Sequence, residues 1–250
     1  MAIGNVTPDS FYAASRLMDP TSEQVDTDVV LAWAQNALSE GADILDIGAC
    51  STRPNSTPVE EAEEWRRLQP ALRVLRDSLP DTPLSLDTFR PEIARLALEH
   101  FGPMIINDIS GGCPLMYDIV RSFEVPYVWT LRGNLDLPVQ KSMEGINLIL
   151  DPGFGFCGGV EQDYACMREL DSLRAFNRPI LVGVSRKSML WKPLQLTPDS
   201  CLGATQALQL YALEHGATIL RTHDVRATRD TICIWEKIVN SQFTMHNSQL

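Results

Sequence analysis

The feature that most constrains this chain is a repeated alternation. Short β-branched or aliphatic runs near 1–4, 43–47, 83–87, 104–107, 126–130, 147–150, 179–184 and 218–221 read as strands. Stretches with helical spacing lie between them, at 23–40, 60–78, 91–100, 114–123, 161–175 and 198–214, with a last one at 224–240. Val30, Trp33, Ala34, Ala37 and Leu38 mark the apolar face of the first helix. Trp65, Leu68, Leu72, Leu75 and Leu79 mark that of the second. Strands that alternate with helices run parallel and are joined by right-handed crossovers. Eight strands within 250 residues predict an α/β fold of the (β/α)8 type, a TIM barrel. Periodicity alone leaves open whether the sheet closes or stays doubly wound. Two matching segments, Gly41-Ala-Asp-Ile-Leu-Asp46 and Gly216-Ala-Thr-Ile-Leu-Arg221, both read as a helix ending at Gly and feeding a strand. No Pro/Gly/Ser-rich linker divides the chain, so residues 1–250 are expected to form one domain.

The formal net charge of -11 argues against nucleic acid and anionic membranes as partners. Small anions remain possible if cations gather locally. No uncharged apolar run is long enough to span a bilayer, and the first residues lack the basic and apolar regions of a signal peptide. The six cysteines form no C-x-x-C pair and read as reduced thiols, which predicts a cytoplasmic protein.

Barrel chemistry sits at the C-terminal ends of the strands. Those ends carry Asn5, Asp46, Asp87, Asn107-Asp108, Asp151, Ser185-Arg186-Lys187 and Arg221-Thr-His223. Any single Asp or Asn there is as well explained by a turn or a helix cap. Their convergence on one rim points instead to a site with several carboxylates and several cations.

The motifs at this rim carry a family resemblance. Asn5-Val-Thr-Pro-Asp-Ser-Phe11 and Asp46-Ile-Gly-Ala-Cys-Ser-Thr-Arg-Pro54 resemble the two signatures of dihydropteroate synthases. Ser85-Leu-Asp-Thr88, Asn107-Asp-Ile-Ser-Gly-Gly112, Leu150-Asp-Pro-Gly-Phe-Gly-Phe156, Val182-Gly-Val-Ser-Arg-Lys-Ser188 and Arg221-Thr-His-Asp-Val225 follow in the family's order. The resemblance runs from about residue 1 to 240. It implies a sulfonamide-target transferase of folate biosynthesis. That reaction condenses a dihydropterin methyl diphosphate with 4-aminobenzoate and releases diphosphate. It further implies Asp87, Asn107, Asp151 and Lys187 around the pterin, with Asp151 taking the amine and ring N–H of its edge. Asn5, Arg53, Arg221 and His223 fall to the diphosphate, and Lys187, Arg221 and His223 to catalysis. Thr52, Pro54, Phe156 and Ser188 would wall the 4-aminobenzoate slot. Mg2+ would arrive with the diphosphate and contact Asn5, since magnesium keeps several waters and shares substrate oxygens. By the same resemblance, the protein is expected to be a homodimer through its outer helices.

The chain departs from the family at several points. Cys50 stands where Glu is common, and Tyr12-Ala-Ala-Ser-Arg16 replaces Ser-Asp-Gly-Gly. Trp129-Thr-Leu-Arg-Gly133 replaces Met-His-Met-x-Gly, and Cys157-Gly-Gly159 replaces a Gly-Lys-Thr-like segment. The stretch 131–146 has room for at most two helical turns after Pro138, where the family fits a full helix. This shortened connection between strands 5 and 6 predicts a weak flank beside strand 5. Three other readings stay open: a catalytically impaired pterin-binding paralogue, a methyltetrahydrofolate-type methyltransferase barrel, and a Schiff-base aldolase with Lys187 as nucleophile.

Overall fold

A computed structural model of the chain describes residues 1–7, 17, 24–50, 59–133, 135 and 143–247, with side chains of the last helix as far as residue 239. Six parallel strands run in sequence order: β1 (Ala2–Asn5), β2 (Leu45–Gly48), β3 (Leu84–Asp87), β4 (Ile105–Asp108), β5 (Tyr127–Thr130) and β6 (Leu148–Asp151). A parallel pair follows, β7 (Leu181–Val182) and β8 (Ile219–Leu220). Single bridges join the two sheets, Leu150 to Ile180 on one side and Ala2 to Thr222 on the other. Ile3 N donates to Thr222 O at 3.0 Å, and Thr222 N donates to Met1 O at 3.0 Å. The ring is closed, which decides for the barrel.

The helices are α1 (Thr27–Ser39), α2 (Glu61–Ser78), α3 (Pro91–Phe101), α4 (Pro114–Ser122), α5 (Val160–Arg168), α6 (Ser188–Trp191), α7 (Leu202–Glu214) and α8 (Val225–Asn247). Local chemistry explains several starts. Asp26 caps α1 by accepting from Asp28 N and Val29 N, and Pro91 and Pro114 open α3 and α4. The helical reading of 161–175 splits into α5 and a 3-10 segment, Leu170–Phe176, that ends on left-handed Asn177. That of 198–214 splits likewise, because Thr197 and Ser200 cap each other around a 3-10 turn at Pro198–Ser200. Strand β7 is shorter than its apolar run, and the one-turn α6 was not expected.

Alternation along the strands separates two cores. Leu45, Ile47, Leu84, Leu86, Ile106, Tyr127, Trp129, Leu148, Leu150, Val182 and Leu220 belong to the large cluster shared with the helices. Met1, Val128, Ile149 and Leu181, with Ile44, Ile105 and Ile219, form a separate plug inside the barrel. Residues two apart on a strand share a face. The residue two beyond Ile44 is Asp46, two beyond Ile105 is Asn107, two beyond Ile149 is Asp151, and two beyond Ile219 is Arg221. The strand period therefore stacks a polar layer on the apolar plug.

Among the described residues of the connection from β5 to β6 there is no α-helix. Its flank is nonetheless covered, which corrects the expectation of exposed apolar surface there. Leu131, Leu135, Met143 and Ile146 are all buried in the large core. They take the place of the missing helical stripe. The helical turns read after Pro138 lie outside the described residues. Met143 is 1% exposed. Met143→Ala is expected to lower stability by about 2–5 kcal/mol in urea unfolding, as for other buried methionines. A loss below about 1 kcal/mol would show that the connection leaves the flank uncovered.

Candidate active site

The polar layer is organised around one guanidinium. Arg221, just past β8, donates from Nε to Asp46 Oδ2 at 2.7 Å and from Nη2 to Asp87 Oδ2 at 2.6 Å. Nη2 also lies 2.6 Å from Asp46 Oδ2. Asn107 Nδ2 donates to both oxygens of Asp46, at 3.2 and 3.4 Å. Four strand ends, β2, β3, β4 and β8, thus meet at one hydrogen-bonded cluster. Gly48 makes room for it: a Cβ there would sit 3.1 Å from Asp87 Cβ. Asn107 Oδ1 and Ser85 Oγ, both buried, have no hydrogen-bond partner among the described residues. They are acceptors and donors left for something else.

Asp151 and Lys187 stand at the same mouth. Asp151 Oδ1 accepts from Gly153 N at 2.8 Å, so the Asp-Pro-Gly turn engages one carboxylate oxygen. Gly153 is required there, since its φ is 84° and a Cβ would meet Thr130 Cγ2 at 2.8 Å and Arg132 N at 2.9 Å. Lys187 Nζ donates to Phe154 O, and it lies 5.5 Å from the centre of the Phe156 ring. The turn that delivers Lys187 is strained. Arg186 takes φ 57° and is held by a two-pronged pair with Asp224, at 2.6 and 3.0 Å.

Burial sets the electrostatics. It lifts Asp87 from the ordinary aspartate range to about 7, with Arg221 pulling it down and Asp46, Glu64 and Asp108 pushing it up. Asp87 keeps 19% of its side chain exposed, so water still reaches it. Burial also raises Asp151 and lowers Lys187, and each draws the other back towards its charged form. Arg221 is pushed down by burial, but the carboxylates around it, Asp46 first, more than reverse this. Burial takes His223 down to about 3, helped by the charge of Arg221. The imidazole is therefore neutral at pH 7.

A site of this kind, on this barrel, has known relatives. Residues 1–136 and 130–223 match the model of a family described as pterin binding enzyme. The dihydropteroate synthase of Synechocystis sp. is 34% identical over 256 residues, covering 91% of this chain and 85% of the relative. The chain belongs to the dihydropteroate synthase family. The Bacillus subtilis dihydropteroate synthase is 31% identical over 90% of this chain and 83% of its own length. Among solved structures, the Yersinia pestis dihydropteroate synthase with a sulfonamide drug superimposes with a TM-score of 0.84 at 32% identity. It covers 96% of this chain and 93% of the other. A Clostridium difficile dihydropteroate synthase, determined in the presence of pteroic acid, gives 0.83 at 29% identity, over 95% of each chain.

Against that family the sequence-derived site falls into three groups. Asp87, Asn107 and Arg221 form one bonded cluster, with Asp151 and Lys187 interacting at the same mouth. Phe156 is half-buried beside Lys187, and Ser188 opens α6 directly after it. Asn5 ends β1 next to Gly48 of β2, and its carbonyl accepts from Leu17 N at 2.9 Å. His223 lies further round, in a cleft of about 330 Å³ between α1 and the start of α8 that also takes in Trp33, Glu40 and Arg226. Its low proton affinity makes it a neutral donor or acceptor in the ligand-free site. Thr52, Arg53, Pro54 and the stretch from Tyr12 to Arg16 lie outside the described residues.

Sequence reasoning placed Asp46 on the rim but gave it no task, although it is the best-connected carboxylate of the site. It also missed Glu64, fully buried on α2. The signal was present. Glu64, Leu68, Leu72 and Leu75 share one helical stripe, so a carboxylate was written into an apolar face.

Asp87 is expected to titrate near pH 7 in the ligand-free protein, followed by its carboxyl carbon signal in NMR. Arg221→Gln removes the cation that opposes the shift and should move this titration upward. An Asp87 that titrates in the ordinary aspartate range in both proteins would refute the electrostatic account.

Proposed function

We propose that this chain is a working dihydropteroate synthase, which joins a dihydropterin methyl diphosphate to 4-aminobenzoate. The observation that carries this is the mouth itself: three carboxylates, Asp46, Asp87 and Asp151, set against Arg221 and Lys187 on a closed barrel. A 2-amino-4-oxo pterin presents an amine and a ring N–H on one edge. Asp151 has one oxygen committed to Gly153 and is the acceptor for that edge, while Asp87 and Asn107 flank the ring. Asn107 Oδ1, buried and unpaired among the described residues, adds a further acceptor. Lys187, held beside Phe156, supplies a donor to the pterin carbonyl or a ring nitrogen.

The diphosphate falls to Arg221 and Arg53, with His223 as a neutral partner and Asn5 at the end of β1. Preorganised charge aimed at the departing group is usually the largest catalytic contribution. The 4-aminobenzoate nitrogen is already neutral at pH 7, so no strong general base is needed. Lys187, Arg221 and His223 are accordingly the catalytic residues of this reading. Thr52, Pro54, Phe156 and Ser188 wall the aminobenzoate slot, where sulfonamides would also sit.

Magnesium suits this arrangement. Among the described residues no group of three or more His, Cys, Asp or Glu could hold a metal ion. A cation recruited by the substrate's own oxygens, with Asn5 as a single protein contact, needs no such group. When bound, it would neutralise diphosphate charge.

The six free cysteines agree with a reducing, cytoplasmic setting. No helix among the described residues is long and apolar enough to cross a membrane. A homodimer through the outer helices is supported by Ile234 and Ile238, 60% and 45% exposed and one turn apart on α8. Sedimentation equilibrium should return twice the 27.9 kDa chain mass, and should fall towards one chain for Ile234→Glu. A wild-type protein that sediments as a single chain would remove the dimer.

A coupled assay for diphosphate release should give turnover only with both substrates present. Asp151→Asn should lose most pterin affinity by calorimetry, at a cost of about 1–3 kcal/mol or more for a buried charged contact. Pterin binding without turnover would favour the impaired paralogue. Unchanged binding in the variant would remove Asp151 from the site.

A further inference from the structure

A second buried charge cluster lies behind the mouth, on α2. Glu64 is fully buried, yet both its oxygens are engaged. Oε1 accepts from Thr88 Oγ1 at 2.7 Å, and Oε2 accepts from Arg90 Nη1. Arg90 Nη2 donates in turn to Val59 O, two residues ahead of α2. Thr88 directly follows Asp87, and its N–H donates to Asn107 O at 3.1 Å. Arg67, one turn further along α2, directs Nη1 to Thr7 Oγ1 and to Ala49 O, both at 3.4 Å. One face of α2 thus reaches the exits of β1, β2 and β3 together.

We propose that Glu64 is a positioning residue for Asp87, fixing the exit of β3 through Thr88 and joining it through Arg90 to the end of the β2–α2 loop. This role rests on the synthase reading, because Asp87 is the group whose placement it serves. A carboxylate is suited to this joint. It accepts from a hydroxyl on one side and a guanidinium on the other, which an apolar residue of the stripe cannot do. Its charge also reaches the site. The groups acting on Asp87 are Arg221 from β8, Asp46 from β2, Asp108 from β4 and Glu64 from α2. Glu64 is the one among them carried by a helix.

Two variants separate the joint from its charge. Glu64→Gln keeps the shape and an acceptor for Thr88 but removes the negative charge. Thr88→Val keeps the Glu64–Arg90 pair and removes the hydroxyl between Glu64 and the strand exit. For Glu64→Gln, the Asp87 titration in the ligand-free protein should move to lower pH, because a like charge is gone. The acid limb of kcat/KM should move with it, and KM for the pterin diphosphate should rise about tenfold to a hundredfold. For Thr88→Val, KM should rise while the titration of Asp87 stays in place. Circular dichroism and thermal unfolding report whether each variant folds. If Glu64→Gln does not fold, a raised KM in folded Thr88→Val supports the proposal, and an unchanged KM overturns it. If both variants fold with lowered melting temperatures but unchanged KM and unchanged Asp87 titration, Glu64 only holds the helix, and the proposal is wrong. The titration needs no substrate. A wild-type protein that releases no diphosphate would therefore refute the synthase reading, while the Asp87 shift still decides the coupling to Glu64.

Discussion

The pairing of Arg221 with Asp46 and Asp87 is the constraint on which the rest of the site depends. A barrel mouth that holds three largely desolvated carboxylates is unstable unless cations stand among them. Arg221 reaches two of the three, and Lys187 lowers the third electrostatically. Such clusters contribute little to stability compared with an apolar filling of the same volume. Their presence on top of an otherwise apolar plug is therefore better explained by what the mouth must bind. The cost of desolvation appears where the balance is incomplete, in the raised proton affinity of Asp87.

Holding those groups in register is the task of the loops, and two loop contacts stand out. The Arg186–Asp224 pair ties the exit of β7 to that of β8. It also holds a non-glycine residue at positive φ, a conformation of order 1–3 kcal/mol above the usual ones. The turn places Lys187 at the mouth and lets Ser188 start α6. On the far side, Glu64 and Arg67 do the corresponding work for β1 to β3 from a single helix. The barrel provides the strand ends, and buried ion pairs outside the ring decide where the loops leave them.

How much of this the sequence reveals depends on which period carries the information. Strand order and the polar rim were legible because alternation of period two puts Asp46, Asn107, Asp151 and Arg221 on the same face as the apolar plug. Periodicity by itself did not decide closure, which rests on two single bridges outside the named strands. On α2 the stripe was read through Trp65 and Leu79, both only half-buried, and Glu64 and Arg67 were left out of it. Helical periodicity sorts residues by hydrophobicity and cannot credit a buried carboxylate. The flank between β5 and β6 was misjudged for a related reason. Leu131, Leu135, Met143 and Ile146 have no regular spacing, so their burial becomes visible only in three dimensions. The low proton affinity of His223 was not legible, because its burial beside Arg221 is a tertiary fact.

The net charge of -11 sharpens the electrostatic question. An acidic protein that binds a diphosphate must overcome its own field within the site. Arg221 is already shared between Asp46 and Asp87, so it is not a free cation waiting for phosphate. A ligand that brings N–H donors to Asp87 and Asp151 relieves these carboxylates of desolvation. The same donors favour their ionised forms, because hydrogen bonding to a charged form stabilises it. An anion arriving with those donors can then draw on Arg221 without leaving a carboxylate bare. Pterin and diphosphate are covalently joined in the substrate, so both conditions are met in one event. Diphosphate alone meets only the second, and must take Arg221 away from its carboxylates. On the proposed reading, the mouth holds the intact conjugate more tightly than the released diphosphate, so the leaving group is not trapped after displacement.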